Sequence, residues 1–93
     1  MGYRYLIKTD RPVRDIDITN IVNKMPEELQ GPFNCSRQPW GWSCVCDIQL
    51  DHNVVSVSGS YGISGKDSLK FVTYLQGKLQ NAGYEIINRE FEA

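Results

Sequence analysis

Between residues 40 and 50 every second position is apolar: Trp40, Trp42, Cys44, Cys46, Ile48 and Leu50. The intervening Gly41, Ser43, Val45, Asp47 and Gln49 are mostly small or polar. Side chains of a strand point alternately to its two faces, so this period of two predicts one long strand with a single buried face. Asp51-His52-Asn53 reads as a turn, after which the chain returns through residues 54–61. Pairing Leu50 with Val54 would set Cys44, Cys46 and Ile48 opposite serines. Pairing Leu50 with Val55 sets Ile48 opposite Val57 and Cys44 opposite Tyr61, joined by a four-residue loop. A slip of one residue inverts a whole face, so the second register is the expected one.

Residues 3–8 are rich in strand formers and end at Thr9-Asp10-Arg11-Pro12, a turn-like break. Ile18, Ile21, Val22, Met25 and Leu29 then recur at helical spacing, with Asp15, Asp17 or Thr19 as caps. Pro26 ends or kinks that helix, leaving Glu27 to Gln30 as a separate turn. Gly31-Pro32 and residues 34–39 read as a connecting loop. After a break at Gly62 to Gly65, Ser64 and Asp67 resemble a capping box. A strong helix follows, with Leu69, Val72, Leu75, Leu79 and Ala82 on one side, Phe71 alongside and Gly83 at its end. Residues 84–92 form a last strand.

Strand, helix, strand, strand, helix, strand is the element order of the ferredoxin-like β-α-β-β-α-β plait. The expected fold is therefore α+β and a single domain over residues 1–93. It would hold one four-stranded antiparallel sheet with both helices on one face. The second and fourth strands would be edges. Tyr3, Tyr5 and Ile7 would point inward, and Arg4, Leu6 and Lys8 outward, beside Val45, Asp47, Gln49, Ser56, Ser58 and Ser60. That open face is polar and hydroxyl-rich, without the stacking aromatics with which RNA-binding sheets of this architecture hold bases.

Ninety-three residues suffice for one self-supporting core; a chain of this size buries roughly 64% of its extended surface. Ten basic against eleven acidic side chains remove the electrostatic case for nucleic acid or an anionic membrane. No stretch reaches the ~18 apolar residues of a membrane span and no signal-peptide core is visible, so a soluble, cytoplasmic protein is expected. Met1-Gly2 invites myristoylation, but Leu6 stands where a hydroxyl residue is wanted. Three cysteines, an odd number, make a poor disulfide framework.

Chemistry-bearing patterns are sparse. Cys35, Cys44, Cys46 and His52 are the one set with metal-ligand chemistry, but Cys44 and Cys46 lie in a strand and face its apolar side, and His52 stands roughly 20 Å from Cys46 along it. No metal and no cofactor is expected. Residues 59–68 look superficially like a phosphate loop, yet position 60 is Ser and Asp67 replaces the hydroxyl residue after Gly65-Lys66. Size and element order are similar to those of acylphosphatases. Their glycine-rich phosphate loop with its following arginine would fall at Thr9-Asp10-Arg11-Pro12, which lacks the glycines. Asp47 and Asp51 share a face, and His52 is the lone histidine, but no nucleophile, base and orienting group assemble, so no catalytic residue is assigned.

Binding is the reading that remains. Pro39, Trp40 and Trp42, with Arg37 nearby, gather two indoles at the start of a long edge strand. Indoles bury a large area at low entropic cost and anchor interfaces. The expected role is a small non-catalytic interaction module, of the inhibitor, immunity-type or adaptor kind, engaging a protein partner through that aromatic-anchored edge. The alternative is a homodimer, a ligand binder or enzyme whose facing sheets enclose a site lined by Arg4, Lys8, Asp47, Gln49, Ser56 and Ser58.

Overall fold

The apolar members of each alternating run converge on one layer. In a computed structural model describing residues 3–30, 35–59 and 63–92, Ile7, Ile48, Val55 and Val57 are buried on one face of a single sheet. The strands are β1 (Arg4–Thr9), β2 (Ser36–Gln38), β3 (Gly41–Ser43), β4 (Cys46–Asp51), β5 (Val54–Gly59) and β6 (Ile86–Glu92). All neighbours are antiparallel, in the order β2-β3-β4-β5-β1-β6. The helices are α1 (Asp15–Asn23), α2 (Glu27–Gln30) and α3 (Gly65–Asn81). No helix among the described residues is long and apolar enough to cross a membrane.

This corrects the expected four-stranded ferredoxin-like plait with two helices: the sheet has six strands and the helices number three among the described residues. The strand expected over residues 40–50 is a hairpin. Trp42 pairs with Ile48 and Ser43 with Asp47, so the chain reverses at Cys44, Val45 and Cys46. An odd number of residues in the reversal leaves the alternation unbroken, which is why the sequence reads as one strand. Residues 36–38, expected as loop, add β2 outside β3. Pro26 separates α2 from α1, since a proline lacks the N–H that would continue the ladder.

The β4–β5 register is Leu50 with Val55 and Ile48 with Val57. Asp51 also pairs with Val54, which shortens the loop to His52-Asn53, with His52 at φ 54°. Tyr61, the partner expected for Cys44, lies outside the described residues, as do Ser60, Gly62 and the Gly31 to Asn34 part of the connecting loop. The His52-Asn53 turn is tied to the end of β1 and the segment after it: the Thr9 N–H donates to Asn53 at 2.9 Å and the Val13 N–H to His52 at 2.9 Å.

Helix α1 is capped by Arg14 without a side-chain bond, and Asp15 and Asp17 lie in its first turn. There the helix dipole favours negative charge. Asp17 accepts from the hydroxyl of buried Tyr84, which also accepts the Arg14 N–H. Helix α3 starts as its sequence suggests, with the Ser64 hydroxyl accepting the Asp67 N–H at 3.1 Å. Ser64→Ala is therefore expected to cost about 1 kcal/mol of stability, read from the urea midpoint. The buried stripe of α3 is Ser68, Phe71, Val72, Leu75 and Leu79, while Leu69 is 42% exposed. Ser68 displaces Leu69 because its hydroxyl finds partners in the Ser64 carbonyl and the Tyr3 hydroxyl.

Candidate functional site: the β2–β3 hairpin and the open sheet face

Gln38-Pro39-Trp40-Gly41 carries proline second and glycine fourth, a composition that favours a tight turn. Gln38 pairs with Gly41, so Pro39 and Trp40 form the two-residue tip of the β2–β3 hairpin. Trp40 is 45% exposed there, whereas Trp42, two residues on, is 2% exposed and packs in the core with Ile48 and Leu29. The two indoles expected on one available surface are thus divided between solvent and core. Of the two indoles, Trp40 alone faces solvent.

Arg37 holds the hairpin in place. Its guanidinium lies 4.4 Å from the centre of the Trp42 ring, the distance of a cation–π contact. It donates to the Gly41 carbonyl at 2.8 Å, to the Gln38 carbonyl, and to the Asp15 carboxylate at 2.9 Å. Arg37 therefore links the turn to the first residue of α1, with its side chain half exposed. Gly41 lets the hairpin lie against β4: a Cβ there would fall 2.0 Å from the Ile48 carbonyl oxygen. The indole N–H of Trp42 has no hydrogen-bond partner among the described residues.

The two strands that form this hairpin also carry cysteines at their far ends. Cys35 and Cys44 lie one position beyond Ser36 and Ser43, the last pair of the hairpin, and the Cys35 thiol bonds the Met25 Sδ at 3.9 Å. Burial pushes the Cys35 and Cys44 thiols up, and at Cys44 the neighbouring Cys35 adds to the effect. Cys46 points elsewhere, into the core, with its Sγ 4.0 Å from Ser68 Oγ, and burial raises its thiol to about 11. No group of three or more His, Cys, Asp or Glu side chains among the described residues is placed to hold a metal ion. His52 lies at the opposite end of β4, exposed, with its Nδ1 2.8 Å from Asp51.

The face away from the helices carries the second expected set. One row crosses all six strands: Glu92, Arg4, Ser58, Asp47, Ser43 and Ser36. The next row sets Glu90, Leu6, Ser56 and Gln49 side by side. Arg4, Lys8, Asp47, Gln49, Ser56 and Ser58 thus do share one surface, and none is buried. Its cations are already matched, however. Arg4 bonds Glu92 at 2.6 Å and Lys8 bonds Glu90 at 2.9 Å. The pairing of first and last strands that brings these acids in is a tertiary arrangement with no local sequence signal.

On the helix side, Glu28, Leu29, Val45, Ile63, Asp67 and Lys70 line a cleft of about 240 Å³ between α2, the 44–46 reversal and the start of α3. Its lining is half charged (Glu28, Asp67, Lys70) and half aliphatic (Leu29, Val45, Ile63). Sequence reasoning missed the Cys35–Cys44 juxtaposition, although the signal was present. Both lie four residues outside the Pro39-Trp40 tip, and reading that dipeptide as a turn makes them cross-strand neighbours. Comparison with protein-family models, curated proteins and solved structures finds no match to this chain.

Proposed function

We propose that this protein is a non-catalytic interaction module that docks a protein partner through the tip of its β2–β3 hairpin. The observation that carries this reading is Trp40, a large indole 45% exposed at a turn whose stem is fastened by Arg37 to Asp15 and to the Trp42 ring. A rigid stem lowers the entropic cost of presenting the indole, and interface hot spots are enriched in tryptophan. Pro39 stiffens the same tip by fixing its own φ. Strand addition contributes little, because β2, the edge strand beside the tip, is only three residues long. The partner surface that fits is an apolar slot of indole size. The open sheet face is the weaker site for an anionic ligand, since Glu92 and Glu90 already neutralise Arg4 and Lys8.

Trp40→Ala is expected to leave folding stability within about 0.5 kcal/mol, because the side chain is a surface group. It is expected to lower partner capture by about 30-fold, the equivalent of a 2 kcal/mol hot spot. Quantitative affinity capture with wild-type and variant baits makes the comparison, with Leu69→Ala, an exposed leucine on α3, as control. Equal capture by the Trp40→Ala and wild-type baits would overturn the reading, as would equal losses with the Leu69→Ala bait.

A further inference from the structure

A two-residue tip fixes the hydrogen-bonding phase of the whole hairpin. Gln38 and Gly41 flank the tip as a hydrogen-bonded pair, so pairs alternate outward from it. Arg37 with Trp42 is then a non-hydrogen-bonded pair and Ser36 with Ser43 a hydrogen-bonded one. Cys35 and Cys44 stand one position beyond the last pair, where the alternation continues to a non-hydrogen-bonded position. At such pairs the Cα atoms approach to about 4.5 Å and side chains stand closest. Disulfides span Cα separations of about 4.4–6.8 Å, a range that includes the spacing of such positions. Both side chains are half-buried and pack against the same core, the Cys35 Sγ lying 3.9 Å from the Met25 Sδ.

We infer that Cys35 and Cys44 form a reversible dithiol/disulfide pair, a cross-strand staple that closes the base of the β2–β3 hairpin. The oxidant is a low-molecular-weight disulfide such as oxidised glutathione. Cys35, half-buried and in less strongly desolvated surroundings than Cys44, reacts first. Its thiol releases a proton to water, and the thiolate attacks one sulfur of the small disulfide. That forms a mixed disulfide and expels one small thiolate, which takes up a proton. The Cys44 thiol then loses its proton, and its thiolate attacks the Cys35 sulfur, forming the intramolecular S–S bond and expelling the second small thiol. Two protein thiols are oxidised and one small disulfide is reduced to two thiols. Cys46 stays a thiol, because it is fully buried and its Sγ is turned toward Ser68 on α3. Burial of both reacting thiols makes the exchange slow at neutral pH and faster as pH rises, since the thiolate is the nucleophile. The pair stands whether or not a partner docks on the hairpin tip.

The test is to incubate the full chain, folded and reduced, with oxidised glutathione, and to record intact mass and non-reducing tryptic maps. Trypsin cleaves after Arg37, so Cys35 and Cys44 fall in different peptides. The expected result is a chain lighter by two hydrogens, reversed by a dithiol reductant, whose cross-linked peptides on fragmentation join Cys35 to Cys44. Cys46→Ala is expected to oxidise in the same way. Cys35→Ala and Cys44→Ala are expected to stop at the glutathione adduct or to stay reduced. Mapping the wild-type chain keeps the test decisive even where a variant fails to fold. A Cys35–Cys46 or Cys44–Cys46 bond, an intermolecular bond, or three thiols that remain free would overturn the inference.

Discussion

Trp42→Ala is expected to cost about 3–5 kcal/mol, the range for removing a large aromatic from a packed core. The indole is 2% exposed and packs in the core cluster with Ile48 and Leu29. Its removal also strips Arg37 of the ring beneath its guanidinium. Domains of this size are stable by roughly 5–14 kcal/mol at about 0.05–0.15 kcal/mol per residue. The variant therefore loses about a fifth or more of its stability, and its thermal midpoint falls by about 12 °C or more. Urea unfolding followed by fluorescence of the remaining Trp40 gives the measurement. Trp42→Phe, which keeps a ring for Arg37 and removes the N–H, is expected to lose less than half as much. A loss below about 1 kcal/mol for Trp42→Ala would mean that the indole does not sit in the core. The contrast with Trp40→Ala is the informative one: two tryptophans separated by a single glycine are assigned opposite roles, one holding the fold and one facing outward.

That division marks the limit of what hydrophobic patterning conveys. The pattern reports the face a residue occupies, and on this count it succeeds for β4 and β5, where Ile48 faces Val57 and both are buried. Parity alone cannot report whether the chain runs straight or doubles back after an odd number of residues. Trp42 and Ile48 differ by six positions, so they share a face in one long strand and equally when paired across a hairpin. The deciding cues were the turn residues Pro39 and Gly41, and at the other reversal Cys44-Val45-Cys46 carries no turn residue at all. The helix breaks were more legible, because Pro26 and the Ser64 cap act through local backbone chemistry. Leu69 was misjudged for the converse reason. Its exposure depends on Ser68 reaching Tyr3 and the Ser64 carbonyl, partners supplied partly by β1.

The candidate site follows the same division. The polar composition of the open face was readable from alternation, and Arg4, Asp47, Ser56 and Ser58 do stand together on it. Its charge balance was not readable, because the register that sets the β6 acids beside Arg4 and Lys8 is fixed by tertiary pairing. Glu92 and Glu90 neutralise that face at Arg4 and Lys8. For Arg37 the change is similar. A basic residue beside two indoles suggested a contact for a partner, and the structure engages it with Asp15 and two backbone carbonyls of its own hairpin.

Gly41→Ala and Gly77→Ala are expected to change stability in opposite directions. At Gly41 the added methyl group would fall 2.0 Å from the Ile48 carbonyl oxygen and 3.2 Å from the Gln49 Cα. Both obstacles are backbone of β4, which β5 holds in register from the other side, so neither can swing away as a side chain would. Relief requires β3 to separate from β4, and that breaks the pairing of Trp42 with Ile48 and loosens the indole's seat in the core. Overpacking in a well-packed site costs about 1–3 kcal/mol. Loss of part of the Trp42 burial adds to it, so a total of about 3 kcal/mol is expected. At Gly77, inside α3, a Cβ meets nothing within 4 Å. Alanine there should stabilise the protein by about 0.5–1 kcal/mol, the helix penalty of glycine. Urea midpoints of the two variants, measured beside wild type, decide both signs. A Gly41→Ala midpoint equal to wild type would mean that β3 does not lie against β4, and the reversal at Cys44 to Cys46 would have to be redrawn as the single strand that the alternation alone suggests.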